Sequence, residues 1–189
     1  EFFNKIAGHY DRGIFKNLLL KPARKTAEIA NVKRNSKILD AGCGTGNLLK
    51  ELENENKKLE LHGIDISKEM IKIARKKLKN AKIKLGEAEK LDFKKNYFDY
   101  VFSIDAFHHY YNHGLVMRNF YRVLKKNGKL VIVDFSFGIL FNRIFSRIEP
   151  GNNGMHTASE FRELFKEYKF KDIKQKKVGF FSILTIGRK

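Results

Sequence analysis

The chain has 189 residues, 42% of them hydrophobic, and carries a formal net charge of +18. This length suits a single domain with a full core, and no apolar run approaches the roughly 18 residues of a membrane-spanning helix. A basic chain invites a nucleic-acid partner, but most of the charge is lysine, which fits a solvated surface as easily. Cys43 is the single cysteine, which excludes an internal disulfide and favours a reducing cytoplasm. The first residues lack the pattern of a signal peptide.

The first 30 residues are predicted to form two helical pieces that separate near Pro22. Proline is tolerated in the first turn of a helix, where its missing N–H is not needed. Apolar and aromatic residues recur in both pieces, so we expect a helical lid on the domain, not a domain of its own.

The segment 37–55 predicts a strand over residues 37–41, a tight loop and a helix over residues 47–55. Gly42, Gly44 and Gly46 alternate through the loop, where the backbone can turn sharply and a ligand can approach without meeting a Cβ atom. A dinucleotide fingerprint would need its third glycine at position 47, which is Asn47. The loop therefore predicts a different nucleotide-type ligand, and a glycine turn without a ligand is the alternative. We expect valine at Gly42 to block the ligand and leave the fold intact.

A second predicted strand, residues 59–65, ends in Asp65. A carboxylate at this distance from the loop can accept hydrogen bonds from both hydroxyl groups of a ribose. Ile66 follows where an apolar side chain could pack on adenine. Ser67 is predicted to cap a helix that continues to about Lys79.

A short third strand over residues 82–85 leads to a buried central strand over residues 97–104. The central strand runs into a polar cluster that contains Asp105, His108 and His109. Ligands of open α/β sheets bind beyond the carboxyl ends of the strands, so this cluster is a candidate site. A structural role for the histidines at a helix start is the alternative. No metal site is predicted, because no cysteine or acid completes a set of ligands.

The remaining elements follow the same alternation. A helix over residues 115–124 is predicted to end at Lys125 to Gly128, and a fifth strand covers residues 129–135. Thr157 is predicted to cap a helix that runs to about Phe165. Two last strands, over residues 171–177 and 179–186, should form an antiparallel edge.

Three segments together resemble the class I S-adenosylmethionine-dependent methyltransferases, and most closely their ubiquinone and menaquinone group. They are the G-x-G-x-G loop after Asp40, the run G-E-A-E-K-L-D-F over residues 86–93, and the pattern R-V-L-K-x-x-G-x-L over residues 122–130. The resemblance implies one α/β domain over residues 1–189, with a doubly wound, Rossmann-like sheet of seven strands in the order 3-2-1-4-5-7-6. The last strand is expected to be antiparallel, residues 1–30 to form the helical lid, and residues 138–156 to be a substrate-cover insertion and loop.

The resemblance also implies that S-adenosyl-L-methionine is the cofactor and S-adenosyl-L-homocysteine the product. Glu87 replaces the aspartate that is usual in the family and is one methylene longer. Tyr10 could contact the cofactor or, equally well, pack the lid onto the core. His108, His109 and His156 are the candidates to contact the methyl acceptor. The implied cofactor-binding residues are Tyr10, Asp40, Gly42, Cys43, Gly44, Thr45, Gly46, Asp65, Ile66, Glu87, Ala88 and Asp105.

The predicted function is methyl transfer to a small, apolar or aromatic acceptor, without a specific nucleic-acid partner. A general base is not required, because the sulfonium of the cofactor is itself a strong electrophile. One alternative is a nucleic-acid methyltransferase, which the charge favours but which would need an N-P-P-Y-type tetrad. The other is a non-catalytic adenosyl-binding regulator. An apolar wall over the methyl group is expected from Phe2, Phe3, Phe15, Phe141, Ile144 and Phe145, which could instead only close the core.

Overall fold

Strands and helices alternate along the chain, as the sequence predicts. The computed structural model describes residues 23–55, 58–136, 151–178 and 181–189. The helices are α1 (residues 23–30), α2 (Asn47–Asn54), α3 (Lys68–Lys77), α4 (His113–Val123) and α5 (Ala158–Glu167). The strands are β1 (Lys37–Ala41), β2 (Glu60–Asp65), β3 (Ala81–Leu85), β4 (Phe98–Ile104), β5 (Leu124–Phe135), β6 (Lys171–Lys177) and β7 (Ser182–Arg188).

The strands form one seven-stranded sheet in the order β3-β2-β1-β4-β5-β7-β6, which confirms the predicted order. Strands β1 to β5 pair in parallel, and β7 is antiparallel to both β5 and β6. The chain proceeds from β1 to β2 and β3 on one side and then crosses to β4 on the other. The carboxyl ends of β1 and β4 therefore border the crevice where open α/β sheets bind ligands.

Both faces of the sheet are covered, which explains why its central strands are almost continuously apolar. Alternate residues of β1 enter different hydrophobic clusters, Ile38 with the buried residues of α1, α2 and α3 and Leu39 with those of α4 and α5. The helices supply one apolar stripe each, so neither cluster forms without the sheet between them.

Ser67 caps α3 as predicted, since its hydroxyl oxygen accepts a hydrogen bond from Met70 N at 3.2 Å. The helix ends at Lys77, two residues before the predicted end.

The predicted helix stops within one residue of the observed end, but Lys125 to Gly128 do not cap it. Helix α4 ends at Val123, and β5 starts at the next residue. Phe98 pairs with Leu124 and Tyr100 with Lys129, so residues 125–128 bulge out of the strand. The bulge uses a left-handed residue, Asn127 at φ 65°, followed by a glycine. Helix ends and bulges both favour this Asn-Gly chemistry, so the pattern did not distinguish them.

Thr157 begins α5 with a complete capping box, as predicted. Its hydroxyl accepts from Glu160 N at 3.3 Å, and its own N–H donates to Glu160 Oε2 at 2.6 Å. The helix buries Phe161 and Phe165 against the sheet, so loss of the cap should affect the whole domain. We expect Thr157→Ala to lower the free energy of unfolding by about 1 kcal/mol in urea denaturation. Thr157→Ser keeps the hydroxyl and should retain most of this stability, and equal losses in both variants would contradict the capping role.

The predicted lid and substrate cover fall mostly outside the described residues. Of the lid only residues 23–30 are described, and of the segment 138–156 only residues 151–156. In the described part of the chain, no helix is both long and apolar enough to cross a membrane. Outside the described residues lie Tyr10 and the predicted wall residues Phe2, Phe3, Phe15, Phe141, Ile144 and Phe145.

Candidate active site

A cavity of about 640 Å³ opens at the carboxyl ends of β1, β2 and β4. This volume is within the range of small-molecule sites. Gly46 does not line the cavity, because it faces α3, where a Cβ atom would lie 2.7 Å from Leu78 Cδ1. The predicted cofactor residues that do line it are Asp40, Gly42, Cys43, Gly44, Thr45, Asp65, Ile66, Glu87, Ala88 and Asp105.

The glycine loop between β1 and α2 is built from left-handed residues. Gly42, Gly44 and Gly46 have φ values of 73°, 50° and 80°. The N–H groups of Gly42 and Cys43 both donate to Ile64 O at 2.9 Å, which holds the loop against the end of β2. Other residues adopt these φ values only with strain, so the alternating glycines are a requirement of this turn.

The expectation that valine at Gly42 would leave the fold intact is wrong. A Cβ atom built on Gly42 lies 2.5 Å from Ala106 Cβ, so a side chain there collides with the protein. Gly44 behaves differently, because within the described ranges no heavy atom beyond Gly44 and its two chain neighbours lies within 4 Å of its Cβ position. The open approach to the cavity is therefore at Gly44, while Gly42 allows close packing behind the loop.

Asp65, at the end of β2, is oriented by the backbone. Its Oδ2 accepts from Gly44 N and its Oδ1 from Ser67 N, both at 2.8 Å. Burial raises the pKa of Asp65, and the hydrogen bonds from Ser67 and Gly44 oppose that shift. Each carboxylate oxygen has a further lone pair with which to accept a ligand hydroxyl.

Two more carboxylates end the neighbouring strands. Asp40, near the end of β1, is only 2% exposed, and its burial together with the charge of Asp65 raises the pKa of Asp40 to about 8. Asp105 follows β4 with a left-handed φ of 48°, and its N–H donates to Val133 O at 2.9 Å. Acidic residues at the ends of three neighbouring strands thus border one cavity, which favours a ligand that carries positive charge.

The wall opposite the glycine loop is held by side chains that the sequence analysis did not single out. Glu89 Oε1 accepts from Tyr111 N at 2.8 Å, which ties residues 87–90 to the segment after β4. Asn119, on α4, donates to Ala88 O at 3.2 Å and to Glu89 O at 2.7 Å. Glu87 is half exposed and pairs with Lys90 at 3.2 Å. The contacts of Glu89 with Tyr111 and of Asn119 with Ala88 and Glu89 join residues 22 to 31 positions apart, so no local pattern could have predicted them.

Of the three candidate histidines, only His109 lines the cavity. Its Nδ1 lies 3.1 Å from Gly151 O, and since a carbonyl only accepts, the ring nitrogen is the donor. His108 is 2% exposed and pairs with Asp134, beneath the cavity lining.

His156 lies against His113, with the two ring nitrogens 3.0 Å apart, and neither residue lines the cavity. Burial lowers the pKa of His156, and burial together with the charge of His156 lowers the pKa of His113 to about 4. The pair is therefore neutral at neutral pH, as a packed core contact would be.

Residues 32–179 match the family model described as a methyltransferase domain. The chain belongs to the class I S-adenosylmethionine-dependent methyltransferases. This match covers most of the chain and confirms the family that the glycine loop and the later motifs predicted.

Two curated relatives of this methyltransferase carry the same name, demethylmenaquinone methyltransferase. The protein from Thermotoga maritima is 32% identical over 135 residues, which are 70% of this chain and 59% of that protein. The protein from Listeria welshimeri is 30% identical over 184 residues, or 88% of this chain and 75% of that protein. The methyltransferase thus matches only about three fifths of the length of the Thermotoga relative.

A solved structure shows the same fold at much lower identity. It comes from a Haloferax volcanii complex that contains the Trm112 methyltransferase activator. Its TM-score is 0.86 at 18% identity, with 98% of this chain and 96% of that chain covered. At this identity the likeness bears on the fold and not on the substrate.

Proposed function

We propose that this methyltransferase holds S-adenosylmethionine in the 640 Å³ cavity and transfers its methyl group to a small, apolar or aromatic acceptor. The observation that carries the proposal is the convergence of Gly44, Asp65, Ala88 and Asp105 on one cavity. When bound, the cofactor supplies an electrophilic methyl group on a positively charged sulfur. The protein then needs mainly to align the acceptor with that group and to exclude water.

The residues around the cavity fit the parts of this cofactor. Asp65 is fixed by two backbone N–H groups and can accept from the ribose hydroxyls. Ile66 is 64% exposed at the cavity and offers an apolar surface for adenine, whose edge Glu87 and Ala88 would bind. Asp105 would hold the ammonium group of the methionine part, and the open space beside Gly44 would admit the cofactor.

The acceptor is proposed from chemistry and from the relatives together. The name of two relatives, demethylmenaquinone methyltransferase, favours a quinone-type acceptor, which would react in its reduced quinol form, since the quinol supplies the nucleophile and the hydroxyl groups. A compound of this kind would be held largely by burial of its ring. We infer that His109, the one candidate histidine that lines the cavity, orients a hydroxyl group of such an acceptor. Proton removal is not its required role, since the electrophile is already activated.

The test is a methyl-transfer assay over a panel of quinols, phenols and amines, with cofactor binding followed by calorimetry. We expect a quinol or phenol to be methylated, and His109→Ala to lower turnover while the affinity for S-adenosylhomocysteine stays unchanged. Activity confined to highly charged, hydrophilic acceptors would contradict the proposed acceptor class. Binding of NAD in preference to S-adenosylhomocysteine would contradict the cofactor assignment.

Cofactor binding should also depend on pH through Asp40. Its pKa of about 8 means that the carboxyl group is mostly protonated at pH 7. A cationic cofactor nearby favours the ionised form, so its binding should lower the pKa and release a proton. We expect affinity for S-adenosylmethionine to rise with pH, by at most about tenfold per unit, and to level off above pH 8.

Calorimetry in buffers of different ionisation enthalpy measures the proton directly. Asp40→Asn cannot ionise and should lose the pH dependence whatever its absolute affinity. Equal proton release in the wild type and in Asp40→Asn would show that another group titrates.

A further inference from the structure

Strands β1 and β4 separate just below the cavity. Their parallel pairing runs from Ile38–Tyr100 to Asp40–Phe102 and stops there. The next residue of β1, Ala41, is the last before the glycine loop. Its carbonyl group points into the gap between the two strands, where a buried acceptor needs a donor.

The side chain of Tyr110 enters this gap from the segment after β4. Its hydroxyl donates to Ala41 O at 2.8 Å and lies 3.0 Å from Ser103 Oγ, a fully buried atom of β4. A tyrosine hydroxyl has one proton, and the carbonyl can only accept it. Ser103 must therefore donate to Tyr110, and the order of the chain is Ser103 to Tyr110 to Ala41.

Tyr110 also touches the glycine loop. A Cβ atom on Gly42 would lie 3.2 Å from the tyrosine oxygen, which shows how closely the loop is packed on this side chain. Burial raises the pKa of Tyr110 well above its usual range, so the hydroxyl remains a donor. The aromatic ring lines the cavity, beside Gly42 and Asp40.

We propose that Tyr110 is a positioning residue for the cofactor: its hydroxyl bridges β1 and β4 where they separate and fixes the peptide between Ala41 and Gly42. This peptide carries the turn from Asp40 into the glycine loop. The N–H of this peptide, from Gly42, donates to Ile64 O at 2.9 Å, so Tyr110 and β2 hold the peptide from two sides. Without the tyrosine bridge the peptide is held from one side only, and the loop that carries Gly44 to the cavity is fixed less firmly. The proposal rests on the proposed binding of S-adenosylmethionine in the cavity.

Tyr110→Phe removes the bridge and keeps the ring. We expect the dissociation constant of S-adenosylhomocysteine to rise about 5- to 30-fold in calorimetry, since a buried carbonyl loses its donor. Relative to the wild type, hydrogen exchange measured by NMR should speed up more at the Gly42 and Cys43 amides than at the amides of β5. A merely structural role would lower stability without this local change.

Tyr97→Phe is a matched control. The hydroxyl of Tyr97 also donates a hydrogen bond, to Glu60 Oε1 at 2.8 Å, but at the amino-terminal end of the strands. Tyr97→Phe should lower the melting temperature to a similar extent and leave both the affinity and the exchange of the loop unchanged.

Ser103→Ala keeps the proposal testable if Tyr110→Phe fails to fold. It removes the donor to Tyr110 and should weaken binding by about 2- to 5-fold. In the Tyr110→Phe, Ser103→Ala double variant the two effects on affinity should be less than additive. Tyr110→Phe alone leaves the Ser103 hydroxyl without an acceptor, and the double variant has no such hydroxyl.

Different results would contradict the binding of S-adenosylmethionine and the role of Tyr110. A wild-type protein that binds neither S-adenosylmethionine nor S-adenosylhomocysteine would overturn the proposed function. A wild type that binds while Tyr110→Phe and Ser103→Ala bind equally well would overturn the role of Tyr110 alone.

Discussion

Replacing Asp65 with alanine should weaken the binding of S-adenosylmethionine by about 1.5 to 3 kcal/mol, or roughly 10- to 150-fold. Two effects act in the same direction. The ribose hydroxyls lose a charged acceptor, and the N–H of Gly44 loses the oxygen that it contacts at 2.8 Å. Calorimetric titration with S-adenosylmethionine and S-adenosylhomocysteine measures the change.

Two variants separate the causes. Asp65→Asn keeps the size of the side chain but turns one acceptor into a donor, so it should also bind weakly. Asp99→Ala is the matched control. Asp99 Oδ2 also accepts a hydrogen bond from a backbone N–H, that of Lys37 at 2.8 Å, but at the amino-terminal ends of β1 and β4, away from the cavity. If Asp65→Ala bound the cofactor as tightly as Asp99→Ala does, Asp65 would not be part of the cofactor site.

Gly44→Val should abolish detectable cofactor binding in a protein that still folds. The new side chain enters the cavity, where no described atom beyond its own residue and the two chain neighbours lies within 4 Å of its Cβ. Residue 44 has a left-handed φ of 50°, which should cost the valine variant about 1 to 2 kcal/mol of stability, a loss that a folded domain tolerates. Thermal unfolding measures the stability of the variant, and calorimetry on the same sample measures its affinity for the cofactor.

Gly42 and Gly151 provide the comparison. Gly42→Val places a side chain against Ala106 and should lower the melting temperature far more than Gly44→Val does. Gly151 has a φ of 77° and room for a Cβ atom. The loss of stability in Gly151→Ala therefore measures the cost of the left-handed backbone conformation alone. Intact cofactor affinity in Gly44→Val would show that the ligand does not pass over this glycine.

Local patterns predicted the sheet well because each of its strands carries its own signal. The five residues of β1 and the seven of β6 are the predicted ones. Asp65 could also be located, since a carboxylate that ends the second strand has a fixed distance from the loop. Ser67 and Thr157 are caps whose partners lie three residues away, which makes them visible in the sequence.

Contacts between distant segments could not be predicted in this way. The approach of Ala106 to Gly42, the hydroxyl of Tyr110 on Ala41 and the side chain of Asn119 on Ala88 all join residues more than 30 positions apart. The two adjacent histidines after β4 looked equivalent in the sequence. Only the tertiary structure separates His109, at the cavity, from His108, which is buried beside Asp134.

The position of β7 has a consequence for synthesis of the chain. It follows β6 in sequence but lies between β5 and β6, where Val131 pairs with Ile186 and Val133 with Leu184. Until residues 182–188 have left the ribosome, β5 presents an unpaired apolar edge and β6 has no strand to join. Nascent chains that stall in this interval are therefore the form most exposed to aggregation and to capture by chaperones. Once β7 is in place, β6 forms the edge on this side of the sheet, and its lysines discourage further pairing.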